Sequence, residues 1–492
     1  MLGLSKSSGN AMRFAAVFLL ALLPLLALAA PADDVWMSVL LDGRKIGNMH
    51  VTRQVRDDSV ITTQKMDVQL DRAGVKVDLS TGESDAETLT GEPLAFTSRS
   101  SISGIASTVQ GTRRDDGRFD VVSEVGGMKS TRIIDWPRGA LLAEGLRLAE
   151  LRTGLDPGTR FSEIAFQPET LDGVAVDSVV GPRERVDLPD GTSAMLTRID
   201  QTFHLAGMAT RSQSWVDAEG LARKTTLPVM GMDMILLACS KSCAKAPNQS
   251  ADILVHALVQ SPQAITPEQL RSGVTFTVSA TRGGTQLQFA QTGEQRVSNV
   301  AGDTELRIAP VNGVAPPNAT EAPPTPADSQ ANDWLQSNAP EMRKLADQGV
   351  GDAKTPAQKM HNLQEFVRRF IRTKDLNVGY ASALEVAKNP EGDCTEHAVL
   401  LAALGRASGI PTRVVDGLAY VDHYAGQDHV FVPHAWAQAW VDSHWQSFDA
   451  ALPGFDAGHI ALSTGDGDPW RFFSGMDTIG RMRIDKVAPI AP

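Results

Sequence analysis

From Val35 to about Ala246 apolar and polar residues tend to alternate, and turn residues interrupt the alternation at intervals. A period of two sends successive side chains to opposite faces of a strand, so such a segment buries one face and wets the other. Met37-Ser38-Val39-Leu40-Leu41, then Asp42-Gly43, then Lys45-Ile46-Gly47-Asn48-Met49-His50-Val51 reads as a hairpin about a tight turn. Asp116-Gly117 and Asp190-Gly191 punctuate further strand-like runs. The pattern predicts a large antiparallel β-rich domain over residues 33–246. Within it, Gly139 to Thr153 changes to helical spacing, with Leu141, Leu142, Leu146, Leu148 and Leu151 on one side. One helix against a broad sheet can enclose a ligand groove, with an envelope polymer or lipid as the occupant, or can simply fill the core. No titratable cluster or phosphate loop stands out in this region.

A smaller β unit follows over 251–310, with strands expected near Ile253–Val259 and Val274–Val278. Residues 311–333 contain Ala315-Pro316-Pro317 and Ala322-Pro323-Pro324-Thr325-Pro326, the composition of a semi-rigid extended linker, and the domain boundary is placed there. The last domain, 334–492, opens with helices. Thr355 and Pro356 suit the N-cap and first helical position, followed by Met360, Leu363, Phe366, Val367, Phe370 and Ile371 on one apolar face. Ser382 with Glu385 forms a capping box, and so does Asp393 with Glu396, which opens an apolar helix through Val399, Leu400, Leu401 and Leu404 to Gly409. Strands are predicted at Thr412–Tyr420, Ala435–Val441 and His444–Asp449, the last two joined by a hairpin turn at Asp442-Ser443. The fold class expected is α+β, with helices packed on an antiparallel sheet after the β-rich region.

Charge and cysteine usage narrow the setting. A net charge of −12 with no basic run or stripe argues against nucleic acid as a partner. Residues 1–29 have Lys6 and Arg13 ahead of an apolar run from Phe14 to Leu28, with small residues at Ala27-Leu28-Ala29. That is a signal-peptide pattern with cleavage after Ala29, the alternative being an uncleaved anchor. Nothing later in the chain is apolar enough to span a bilayer, so no stable span is expected after cleavage, and the expected location is periplasmic or secreted. Of three cysteines, Cys239 and Cys243 are close enough to bridge across a turn in an oxidising compartment, which leaves Cys394 as the odd thiol.

Cys394 falls in the first turn of the helix capped by Asp393. A thiolate there faces the positive end of the helix dipole, which lowers its pKa from about 8.5 toward neutrality, and the same helix end offers backbone N–H groups to an oxyanion. In the hairpin register predicted around Asp442-Ser443, Trp436 faces Asp449 and His434 lies diagonally beside Asp449 on the same sheet face. A thiol, an imidazole and a carboxylate in that order are the parts of a thiol acyl-transfer enzyme. A metal site built from Cys394, His397, His434 and Asp449 is disfavoured, because no close-set ligand pair accompanies it. Gly465-Asp466-Gly467-Asp468-Pro469-Trp470 lacks the ligand ladder and closing glutamate of a calcium loop and reads as a surface turn, with Trp470, Phe472 and Phe473 anchoring the tail.

Four motifs, Gly-Asp-Cys-Thr-Glu-His-Ala at 392–398, Gly-Ile-Pro-Thr-Arg-Val-Val at 409–415, His-Ala-Trp at 434–436 and Trp-Gln-Ser-Phe-Asp at 445–449, make residues 331–465 resemble the transglutaminase-like superfamily of papain-related fold. The resemblance implies Cys394 as nucleophile, His434 as general base and acid, and Asp449 as the orienting carboxylate, with no cofactor. It implies a protein or peptide substrate and attack on an amide, ending in hydrolysis or in transfer to an amine. The chain departs from transglutaminases proper in having no tryptophan between Trp334 and Cys394 to support the oxyanion. Tyr380 is the substitute donor considered, with Trp436 and His397 as further supporting residues. The competing class is a catalytically silent envelope module that binds a peptide or other ligand.

Overall fold

The computed structural model describes residues 32–72, 75–102, 105–125, 128–205, 208–218, 220–229, 231–281, 287–300, 303–311, 321–374, 380–468 and 478–490. The expected signal peptide at 1–29, the first proline cluster of the linker at 315–317, and Trp470, Phe472 and Phe473 lie outside them. Strands make up 51% and helices 18%, so the chain is mostly β and not an even α+β mixture. Two compact units divide it essentially at Ala251/Asp252.

In the first unit a 15-stranded sheet runs from Met128–Ile134 at one edge to Ala140–Leu141 at the other, with Ala32–Leu41 and Met232–Ala238 paired in its middle. Its neighbours are antiparallel except at the last edge, where Ala140-Leu141 runs parallel to Ile164-Ala165. The Asp42-Gly43 hairpin forms as the alternation predicts, with Leu41 opposite Arg44 and left-handed backbone at both turn residues. The helix begins at Ala143, later than the spacing from Gly139 implies, because Ala140-Leu141 is taken by that short edge strand.

The same helix is not docked by leucines alone. Leu142 and Leu146 are buried, but so are Glu144, Arg147 and Glu150. Glu144 accepts bidentate hydrogen bonds from Arg53 at 2.8 and 2.9 Å and is also forked by Arg147. Its N-cap position, Leu142, supplies no side-chain cap, and Glu87 does this from a strand, accepting from the N–H groups of Glu144 at 2.6 Å and Gly145 at 2.8 Å. Glu83, Asp85 and Glu87 alternate on the inward face of Val75–Thr88 and are all buried. This corrects the expectation that the region holds no titratable cluster: in sequence these acids occupy the face that strand alternation assigns to the core, and the capped helix end accounts for Glu87. Burial pushes the Glu87 carboxyl up to about 8, with Asp85 adding to the effect and the helix N–H groups opposing it.

The second unit holds two sheets. One orders Val259–Gln260, Gln427–Val441, Thr412–Tyr424 and His459–Gly465, with His444–Phe448 on the far side of Gln427–Val441. The other orders Gln295–Val300, Asp303–Ile308, Val274–Ala280 and Met482–Pro489. Segment 251–310 is therefore no separate unit: its strand Val274–Ala280 pairs with the C-terminal strand, and Gln295 exchanges side-chain hydrogen bonds with the Ala461 backbone at 2.7 and 2.9 Å. Ile253–His256 is a short helix and only Val259-Gln260 is strand, since Asp252 caps the Leu254 and Val255 N–H groups. The described part of the expected linker is likewise docked, through Glu321 to Arg413, Ala322 O to the Trp445 indole at 3.0 Å and Gln330 O to Arg406 at 2.6 Å. The boundary thus falls before 252 and not in 311–333.

The helices follow their caps. Thr355 accepts from the Gln358 N–H and opens Pro356–Phe370, which buries Met360, Leu363 and Val367, with Ile371 buried just beyond it. Gln427–Val441 and Thr412–Tyr424 extend past the predicted strands and meet at Ala425-Gly426, both with left-handed backbone. Trp436, Trp445 and Phe448, on strands of this sheet, are fully buried, each worth about 2–3 kcal/mol of burial.

Replacing Glu87 by alanine leaves two helix N–H groups buried without an acceptor. The expected loss is about 2–4 kcal/mol of stability, read by urea unfolding of the full chain, whereas the exposed Glu92→Ala change is expected to cost under about 0.5 kcal/mol.

Candidate active site

The Cys394–Ala407 helix starts where the capping box predicts. Asp393 accepts from the Thr395 N–H at 2.8 Å, and Glu396 reaches back to the Asp393 N–H at 3.0 Å. Glu396 is fully buried and also accepts from the Ala381 N–H at 2.8 Å, which ties the approaching chain to the helix end. Gly392, at φ 145°, is the residue this packing demands: a Cβ there would lie 2.4 Å from Glu396 Cγ. Cys394 is the first helical residue and is half-buried, so its thiol and N–H stand at the positive helix end. The helix packs against Gln427–Val441, the strand that carries His434.

The hairpin register is as predicted, Val441 opposite His444 and Ala437 opposite Phe448, with Asp442 at φ 49° and Ser443 at φ 64° as a mirror-image turn. Asp449 follows at the strand end. Its Oδ2 lies 2.8 Å from His434 Nε2, and its Oδ1 accepts from the N–H groups of Ala451 at 2.7 Å and Leu452 at 3.1 Å. Arg368 clamps the same turn from the preceding helix, donating to the Asp449 carbonyl at 3.0 Å and to that of Leu452. With Nε2 committed to Asp449, Nδ1 is the His434 nitrogen left to carry a proton to or from another group.

A fourth residue joins these. His459 Nε2 lies 3.1 Å from the same Asp449 Oδ2, while its Nδ1 lies 3.1 Å from Asp456 Oδ1. No local pattern singles out His459 among the several histidines of the domain. Its place comes from the antiparallel pairing of His459–Gly465 with Thr412–Tyr424, a long-range feature. Asp449 is held well below the ordinary carboxylate range. Burial alone would raise it, but the neighbouring His434 and the hydrogen bonds from His434 and His459 outweigh burial. His459 is pushed up to about 9, burial being overcome by its hydrogen bonds to Asp449 and Asp456.

Of the supporting residues, Tyr380 is engaged elsewhere in the fold, while Trp436 and His397 lie beside His434 and at the thiol helix. The Tyr380 hydroxyl donates to the Gly467 carbonyl at 2.9 Å, and its ring meets Trp334 edge-on, so it is a packed residue in this structure. The Trp436 indole N–H donates to Ser447 Oγ at 3.1 Å, and its ring stacks near His434 at 22°. Gly417 makes room for that indole, since a Cβ there would meet the ring at 2.9 Å. His397 is buried, with Nδ1 2.5 Å from the Asp393 carbonyl and no hydrogen-bond partner for Nε2 among the described residues. Burial lowers its pKa. In the first unit Cys239 and Cys243 form a disulfide, Cα atoms 6.0 Å apart. Among the described residues His434, Asp449 and His459 are one set of ligand-type side chains converging within 4.8 Å, but both imidazoles are spent in hydrogen bonds to a single carboxylate oxygen. It is a hydrogen-bonded relay, and neither Cys394 nor His397 belongs to that set.

Residues 343–450 match the family model of the transglutaminase-like superfamily, and the chain carries a transglutaminase-like domain there. No curated protein matches the chain. Among solved structures, a candidate cysteine protease from Cytophaga hutchinsonii aligns at 17% identity and a TM-score of 0.27, over 40% of this chain and 78% of that one. A candidate protease from Parabacteroides distasonis aligns at 12% identity and a TM-score of 0.20, over 76% of this chain and 68% of that one. A beta-barrel-like protein of a domain of unknown function from Brucella abortus aligns at 13% identity and 0.33, over 44% of this chain and 97% of that one.

The two shifted groups link stability to pH with opposite signs. The Asp449 contribution is present above the ordinary value of 3.8 and is lost as pH falls through its depressed folded value. The His459 contribution is complete below the ordinary 6.5 and is lost as pH rises through about 9. Both are therefore present between these ordinary values. Raising the pH from 6.5 to beyond 9 is expected to remove about 3 kcal/mol, measured by urea unfolding at each pH, and His459→Gln should flatten that alkaline slope.

Proposed function

We propose that the protein is an exported enzyme of a bacterial envelope that breaks an amide of a protein or peptide by thiol acyl transfer. The observation that carries this reading is the buried 2.8 Å contact between His434 Nε2 and Asp449 Oδ2, on a strand packed against the helix that Cys394 opens. It leaves Nδ1 of an oriented imidazole for proton transfer at a thiol on a helix N-terminus.

In this reading the Cys394 thiolate attacks the amide carbonyl carbon, forming the C–S bond as the carbonyl π electrons move to oxygen. The Cys394 N–H and the helix end stabilise that oxyanion. Collapse breaks the C–N bond, and the His434 imidazolium gives its proton to the departing amine, leaving a thioester. Neutral His434 then takes a proton from the incoming acceptor, which displaces the thiolate. Water as acceptor gives a peptidase or amidase; an amine gives a transamidase. Hydrolysis is favoured because it requires no second substrate site. Export is supported by the pattern of residues 1–29 and by the Cys239–Cys243 pair, which persists in an oxidising compartment. No helix among the described residues is long and apolar enough to cross a membrane.

The test is iodoacetamide alkylation of Cys394 against pH on the chain from residue 30. A wild-type rate that titrates well below pH 8.5, with that feature lost in His434→Ala and slowed at least tenfold in Asp449→Ala at neutral pH, is expected. An unreactive thiol in every protein would instead favour the silent binding module. Edman sequencing of mature protein recovered from the envelope is expected to begin at Ala30; a chain retaining Phe14 to Leu28 would overturn the cleavage.

A further inference from the structure

The reaction just described uses Asp449 to orient His434 and gives no work to the second imidazole on the same oxygen. His459 faces a carboxylate at each end, Asp449 Oδ2 at 3.1 Å from Nε2 and Asp456 Oδ1 at 3.1 Å from Nδ1, with the Asp456 carbonyl a further acceptor at 3.2 Å. The Asp456 N–H, at 3.3 Å, is the donor facing Nδ1 and the longest of these contacts. A ring between two carboxylates satisfies both only when each nitrogen carries a proton.

We propose that His459 is a positioning residue that acts as an imidazolium paired to Asp449, cancelling the carboxylate's charge so that Asp449 orients His434 without making it strongly basic. The inference rests on the Cys394–His434 reading above. An uncompensated buried carboxylate against an imidazole favours the imidazolium, and an imidazolium that holds its proton too firmly is a poor acid toward a leaving amine. The Asp449–His459 pair is neutral as a unit, so what reaches His434 is a hydrogen-bond acceptor with little net charge.

The surroundings support this. His459 is 2% exposed and Asp449 fully buried, so water screens the pair little. Trp436 meets the His459 ring edge-on at 5.2 Å and Phe455 lies against it at 4.9 Å, which fixes its orientation. The other titratable groups facing it are His434, with ring centroids 5.6 Å apart, and Glu294, which accepts from the Ser447 N–H at 3.0 Å. Burial alone would depress the His459 pKa; its two carboxylate partners lift it to about 9, and its charge in turn pulls on Glu294.

The experiment is the rate of carboxymethylation of Cys394 by iodoacetate from pH 4 to 10, on the full chain. This reagent is an anion, so it reacts fastest with a thiolate that has an imidazolium beside it, and the falling limb of the profile reads the loss of the His434 proton. The wild type is expected to give a bell. In His459→Gln the falling limb should move up by about one to two pH units, the size expected for removing a unit charge at this separation at an effective dielectric of about 20. A falling limb that stays in place overturns the role of His459 and leaves the Cys394–His434 pair standing. A wild-type profile with no bell, matching His434→Ala, overturns both, since there is then no pair to tune. Nitrogen NMR of ring-labelled wild-type chain requires no substitution: among the ten histidines, at least one ring retaining both protons at pH 8 is expected, and none doing so overturns the inference.

Discussion

The second unit is organised around one buried carboxylate. Asp449 ends the short strand His444–Phe448, and each of its oxygens is doubly engaged, Oδ1 by the turn that follows and Oδ2 by two imidazoles. A carboxylate taken out of water is tolerated only when it is fully hydrogen-bonded and faces positive charge. That requirement recruits residues from two strands and a helix: His434 from Gln427–Val441, His459 from its own strand, and Arg368 bonded to the carbonyls of the turn. The same requirement fixes the His434 ring, because Nε2 has one acceptor and one orientation. Positioning and stability are here a single interaction, so the residues that order the site cannot be removed without loosening the sheet.

The first unit solves a related problem away from the candidate nucleophile. A curved sheet with one inserted helix ordinarily docks that helix by an apolar stripe. Here the inserted face carries Glu144 and Arg147, and the strands answer with Arg53 and Glu87. Such contacts add little net stability over apolar packing but penalise wrong arrangements heavily, because each mispaired group would be a bare buried charge. The arrangement sets the rotation and depth of the helix, which leucines alone specify weakly. It also accounts for the modest share of leucines buried, with Leu148 and Leu151 only half-buried.

Local features were legible in the sequence and non-local ones were not. The Asp393–Glu396 box, the Thr355 cap and the Asp442-Ser443 turn depend on residues a few positions apart, and each forms as read. The approach of His434 to Asp449 follows from that turn, since a two-residue hairpin fixes the register. His459 comes to the same carboxylate through a strand pairing that no local pattern encodes. The domain boundary failed for a similar reason: a proline-rich segment reads as a linker, yet Glu321 and Ala322 are held by Arg413 and Trp445 on the sheet. Tyr380 shows the limit for single side chains, because the resemblance points to a donor ahead of the thiol helix but does not reveal the Gly467 carbonyl that takes this hydroxyl.

Burial changes in one direction across the candidate site. Asp449 and His459 are almost wholly enclosed, His434 is 5% exposed, and Cys394 is half-buried. Charge compensation is therefore completed at the closed end, where a carboxylate and its partners interact with little screening, while the thiol lies toward the open end. In the acyl-transfer reading proposed above, a thioester on that thiol would be reachable by whatever occupies the site once the amine has left. Water reaching a half-buried thiol needs no binding site, whereas an amine must bind to compete with it. An enzyme that cross-links has to exclude water from that position by a surface complementary to its second substrate. The relay spends every polar atom of Asp449 within the fold, so under the acyl-transfer reading proposed above any such surface has to come from the residues around Cys394.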